Sequence, residues 1–144
     1  MDILVKSHSG LRWVVLALLI GAIINAFTGK SRTYEKKDKM LNLFAMVFLH
    51  IQLLLGLVLY FTSPRVKFSG GWMKDDSFRF YGMEHILMMV IAIALVTIGH
   101  SKAKKQSESA KKFKTISLWY TIALIIIIAA IPWPFREALG GKWF

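Results

Sequence analysis

The chain has 144 residues, 56% of them hydrophobic, with no cysteine and with 19 Lys and Arg against 8 Asp and Glu. The missing cysteine excludes disulfides, thiolate chemistry and cysteine-held iron–sulfur clusters, so a metal here must use His, Met or carboxylates. The net charge of +11 is gathered between apolar blocks, which suits an anionic lipid surface and makes nucleic acid an unneeded partner.

The first apolar block runs over Leu11–Phe27. Lys6 and Arg12 sit at its start, and no small-residue cleavage pattern follows, so it reads as a retained helix and not a signal peptide. Gly10, Ala17 and Gly21 share one face, a small-residue stripe suited to a closely packed neighbour helix or, second, a flat cofactor. The polar stretch "TGKSRTYEKKDK" then leads to the second block, Met40–Thr62, which holds His50 and Gln52. Pro64 and the pair Gly70-Gly71 punctuate the longer loop "SPRVKFSGGWMKDDSFRFYG". Its Phe68, Trp72, Phe78, Phe80 and Tyr81 suit a membrane interface. The third block, Tyr81–Gly99, opens with Glu84 and His85 and ends at His100. After "SKAKKQSESAKKFK" comes the fourth block, Ile116–Phe135, stopped by Pro132 and Pro134. Trp133, Phe135, Trp143 and Phe144 form a second interfacial set.

Each block approaches the ~20 residues that cross ~30 Å of hydrocarbon. The sequence thus predicts one all-α transmembrane domain over 1–144, with helices at about 8–28, 40–62, 81–100 and 115–133. Short connections make successive helices antiparallel, an up-down four-helix bundle. Five basic residues lie between the first two blocks and six between the last two. Cytoplasmic loops accumulate Lys and Arg, so both termini are expected on the outer, periplasmic side of a bacterial inner membrane.

Ionisable residues within such helices are candidates for function. Counted from the cytoplasmic ends at ~1.5 Å per residue, His50 stands about 15 Å up, His85 about 22 Å and His8 about 30 Å. Haem iron takes axial imidazoles at similar depth. His50–His85 and His8–His85 are therefore both feasible, and His85 belongs to each. Arg12, one turn from His8, suits haem propionates. Ala92 and Gly99 on the His85 face leave room for a flat ring, and His100 reads as an ordinary interfacial residue.

The stretches "HSGLRWVVL", "HIQLLLGLVLYF", "FRFYGMEHILMM", "FKTISLWYTIALI" and "IPWPF" resemble a family of small four-helix membrane proteins of Bacteroidota labelled "cytochrome b". The resemblance covers nearly the whole chain. It implies that His8, Arg12, His50, Glu84 and His85 are the family's polar positions and that His100 is a variable one.

Three functions fit these residues. One is a b-type cytochrome with non-covalent haem b on His50 and His85, or on His8 and His85, exchanging electrons with quinol or a respiratory partner. Arg12 would then hold propionates, and Glu84 with His8 would form a proton-accepting edge for quinol. The second is a non-haem site, copper or other, built from His8, His50, Glu84 and His85 with Met83, Met88 or Met89. The third is a cofactor-free accessory subunit whose histidines hold helices together. No nucleophile–base pair, phosphate loop or H-E-x-x-H occurs, so a carrier or subunit is expected before a stand-alone enzyme.

Overall fold

The computed structural model describes residues 2–143; Phe144, expected at the interface, lies outside the described residues. Among the described residues the chain forms helices and no strand. Four long helices carry the fold: α1 (Asp2–Thr28), α2 (Lys36–Thr62), α3 (Asp76–Lys105) and α4 (Ser109–Ala130). α3 is continuous but composite. A first turn, Asp76–Arg79, passes through a π-helical turn, Phe80–Glu84, into the α-helix His85–Lys105. All four are long and apolar enough to cross a membrane.

Each helix packs on its chain neighbours, and α4 closes the ring on α1. The tightest seam joins α3 to α4, the loosest α2 to α3. Both chain ends meet at one end of the bundle, where Arg12 and Trp13 donate hydrogen bonds to carbonyls of residues 142 and 143. The Lys-rich connections meet at the other, where the Tyr34 amide donates to Ser109 Oγ at 2.9 Å. These are the terminal end and the lysine end.

The helices outrun the apolar blocks because their polar flanks are good helix formers with good caps. Asp75 accepts the Phe78 amide at 3.0 Å and starts α3 five residues before Tyr81. At the other end "SKAKK" continues the helix to Lys105. Ala and Lys have high helix propensity, and three lysines in the last turn suit the C-terminal dipole. Lys112 Nζ donates to the carbonyls of Ala103 and Lys104 and closes that end.

Alanines stand where the helices come closest, among larger buried side chains such as Leu19, Phe113, Ile116 and Tyr120. Ala22, Ala45, Ala92, Ala123 and Ala130 are fully enclosed, whereas Ile24, Leu54, Leu87 and Ile125 point outward from the four helices. Small residues inside let apolar helices approach closely, and a soluble bundle does not expose so continuous an apolar surface. Two expectations about small residues fail. The Gly10–Ala17–Gly21 stripe is not a packing seam: Ala17 is exposed, and a Cβ at Gly10 or Gly21 would meet nothing within 4 Å. Nor does Gly99 leave a slot for a flat ring, because the Trp119 side chain fills that space.

The lysine end is locked by a buried carboxylate. Asp38, 1% exposed, accepts from Asn25 Nδ2 at 2.8 Å, from both terminal nitrogens of Arg32 at 2.7 and 2.6 Å, and from the Glu35 amide at 2.8 Å. Arg32 also lies over the Phe113 ring. Gly29 is required beside it, since a Cβ there would stand 2.8 Å from the Asn25 carbonyl and 2.9 Å from Phe113. Asn42 and Tyr34 extend the network to Tyr120, whose hydroxyl donates to the Asn42 carbonyl. Asp38→Ala strands a guanidinium and an amide. The expected loss is about 2 kcal/mol, below the cost of breaking a fully buried pair because the Arg32 side chain stays 37% exposed. Unfolding of the detergent-solubilised protein by heat or SDS measures this, with Lys37→Ala as a control shifting by less than about 0.5 kcal/mol.

Candidate functional site

The terminal half of the bundle brings two imidazoles face to edge. His8 of α1 and His85 of α3 stand with ring centres 6.3 Å apart and planes at 84°. Their common depth follows from helix length. His8 is twenty residues from Thr28 and His85 twenty from Lys105, so each stands about 30 Å from the lysine end. Ending α3 at His100 places His85 too shallow, and the five residues to Lys105 correct it.

His85 is held in a defined tautomer. Its Nδ1 lies 2.7 Å from the carbonyl of Ala130, the last residue of α4. That carbonyl has no partner further along its own helix, and a carbonyl can only accept. Nδ1 therefore carries the proton, and in the neutral ring the lone pair is on Nε2. The π-helical turn is tied to the same residue: the His85 amide bonds the Phe80 carbonyl five residues back. Tyr60 of α2 donates its hydroxyl to the Gly82 carbonyl within that turn at 2.8 Å. π-turns often mark functional sites. The buried Phe80 ring lies tilted against His85, with centres 5.4 Å apart and planes at 36°.

His8 is set by α2. Gln52 Nε2 donates to the His8 carbonyl at 2.6 Å. A Cβ on Gly56 would stand 3.2 Å from His8 Cε1, so the glycine makes room for the ring. His8 Nδ1 is buried with no hydrogen-bond partner among the described residues. Gln52 and Gly56, one turn apart on the His8 side of α2, are contacts of the imidazole pair that sequence reasoning passed over. The signal was a carboxamide in an apolar helix, read only as a neighbour of His50.

The other candidates lie elsewhere. His50 does not reach His85. Its Nε2 is 2.9 Å from Thr97 Oγ1, and Thr97 is twelve residues, about 18 Å along the axis, from His85. The Thr97 hydroxyl donates to the Ile93 carbonyl at 2.7 Å, so its oxygen accepts from His50 Nε2–H across the α2–α3 seam. Glu84 accepts from Arg79 Nε at 2.9 Å. It lines an open cleft of about 400 Å³ with Asp76, Arg79, Arg136 and Glu137. Arg12 is buried, donates to the carbonyls of Lys142 and Trp143 at 2.8 Å each, and lies against the Trp13 and Trp133 rings. It thereby straps the segment after α4 across the terminal end. His100 sits half-buried at the lysine end, far from the imidazole pair. Among the described residues, no three of His, Asp or Glu converge as a metal-binding group.

No protein-family model matches the chain, and neither a curated protein nor a solved structure matches it.

The His50–Thr97 bond crosses the loosest seam of the bundle, so a packing role can be measured there. A double-mutant cycle with His50→Ala and Thr97→Val, read by SDS unfolding, should give a coupling of about 0.6 kcal/mol, the average for interhelical hydrogen bonds in membranes. A coupling of several kcal/mol would show His50 to be doing more than packing.

Proposed function

We propose that the protein is a membrane-embedded b-type cytochrome, in which His8 and His85 would hold a non-covalent haem. The observation that carries this reading is the imidazole spacing. Helices α1 and α3 bring the two rings to one depth, near enough for one bound group to reach both. The observed separation is 6.3 Å. The donor chemistry agrees. His85 offers Nε2 because Ala130 holds Nδ1, and His8 has a buried, unpartnered nitrogen. Among the described residues no third His, Asp or Glu joins the pair, and paired imidazoles are a donor set that haem iron takes from a protein. The likeness to the small "cytochrome b" family supports the same reading.

Haem would supply reversible one-electron chemistry. The chain supplies the rest. Ala130 fixes the His85 ring, Gly56 clears space beside His8, and the segment strapped by Arg12 limits water at the terminal end. We assign Glu84, at the wall of the open cleft and next to His85 in sequence, as the group that takes a proton from quinol on the way to water. The apolar outer surface supports a bilayer location. The Lys-rich loops support an inner-membrane orientation with the lysine end cytoplasmic and both termini periplasmic.

The purified protein should show a Soret band and a sharp reduced α band of bis-imidazole haem. His8→Ala and His85→Ala should each abolish the low-spin spectrum, whereas His50→Gln and His100→Ala should keep it. A colourless protein after expression with haem precursor would reduce the pair to helix packing in an accessory subunit. For orientation, cysteines at Ser31 and Ser107 should resist an impermeant thiol reagent in intact cells while one at Ser69 reacts. The opposite pattern inverts the assignment.

A further inference from the structure

We infer that the lysine end carries a site for an anionic phospholipid, with its headgroup in a basic cleft at the start of α2 and its acyl chains along α2. The inference rests on the membrane reading of the four helices and is independent of haem. The cleft encloses about 400 Å³ and is lined by Tyr34, Glu35, Lys36, Lys39, Met40 and Lys112. One wall is fixed: Lys112 donates to the Ala103 and Lys104 carbonyls and its ammonium stands 5.5 Å over the Tyr34 ring.

The positive charge of the cleft is uncompensated. None of Lys36, Lys39 and Lys112 forms an ion pair among the described residues. Asp38, the nearby buried carboxylate, is committed to Arg32. Glu35, the one carboxylate in the lining, lies 3.9 Å from Lys37, outside it. Three cations against one carboxylate favour a phosphate-bearing ligand, and basic clefts at the cytoplasmic side of helical bundles hold such headgroups.

What selects a lipid over free phosphate is the surface that continues from the cleft. At 100° per residue, Lys36, Met40, Phe44, Val47, Ile51 and Leu54 fall within about 80° of one another on α2. The last four are all exposed large hydrophobics, and α2 is the least buried of the four helices. Charge at the helix start and an apolar stripe running from it reproduce the head-to-tail order of a phospholipid. A free anion would leave the stripe unused, and a neutral lipid would leave the lysines unused.

Native mass spectrometry of the detergent-solubilised protein tests this with phosphatidylglycerol, with phosphatidylcholine of identical chains, and with inorganic phosphate as competitor. Phosphatidylglycerol should bind about tenfold or more tightly than phosphatidylcholine. The double variant Lys36→Gln/Lys39→Gln should erase that preference without lowering thermal stability. Lys102→Gln/Lys105→Gln, at the same end but outside the cleft, should leave it intact. Equal loss in both double variants would show diffuse charge attraction and overturn the site. Displacement of the lipid by millimolar phosphate would overturn the lipid assignment in favour of a free anion, and no headgroup preference would overturn both. A protein that stays monodisperse without detergent would instead refute the membrane reading beneath it.

Discussion

An apolar exterior on all four helices is the constraint from which the rest of this structure follows. Valine, isoleucine, leucine and phenylalanine side chains cover the outside from Val14 on α1 to Ile128 on α4. Among such apolar side chains, leaving a polar group unpaired is costly. The polar residues of the middle therefore go inward and find partners across helix seams. His50 finds Thr97, Gln52 finds the His8 carbonyl, Tyr60 finds Gly82, and Tyr120 finds Asn42. Each of these bonds joins two helices, so the demand for satisfied polar groups also aligns the bundle.

The two ends meet that demand differently. At the lysine end the network converges on one carboxylate: Asp38 neutralises Arg32 and draws in Asn25 and the Glu35 amide. At the terminal end there is no such hub. Arg12 takes backbone carbonyls of residues 142 and 143. Arg65 donates to Tyr81, which itself donates to the Leu139 carbonyl. A guanidinium held by carbonyls keeps its charge, whereas one held by Asp38 is neutralised. The imidazole pair thus lies in the half of the protein where the buried guanidinium of Arg12 is held by backbone carbonyls instead of a carboxylate.

The apolar blocks were legible because bilayer-length helices need little else, and chain order with short loops was enough to propose the up-down ring. Depth was less legible. It depends on where polar flanks stop being helical, and "SKAKK" reads as a loop by its charge although its Ala and Lys favour a helix. The π-turn was invisible for a related reason: "FYGME" has no composition that distinguishes an extra residue in a turn from an ordinary one. Small residues misled in both directions. Gly99 admits Trp119 rather than a cofactor, while Gly56, which lies against His8, had attracted no notice. A glycine in an apolar helix reports that something comes close, and only the fold says what.

Hydrogen-bond direction separates two histidines that sequence alone had offered as a pair. A lone imidazole in the middle of an apolar helix is the more conspicuous feature of the chain, and His50 is that residue. Its Nε2, however, is a donor, since the Thr97 hydroxyl proton is already directed to Ile93. The nitrogen left with a lone pair is Nδ1, and the Nε2 tip of the ring is tied to α3. At His85 the order is reversed. The Ala130 carbonyl claims Nδ1–H, and the lone pair sits on Nε2 at the far tip of the ring. A helix end therefore does for His85 what a hydroxyl in mid-helix does not do for His50. It takes the inner nitrogen as donor and leaves the lone pair on the outer one, so the termination of α4 at Ala130, just before Pro132, bears directly on the state of an imidazole one helix away.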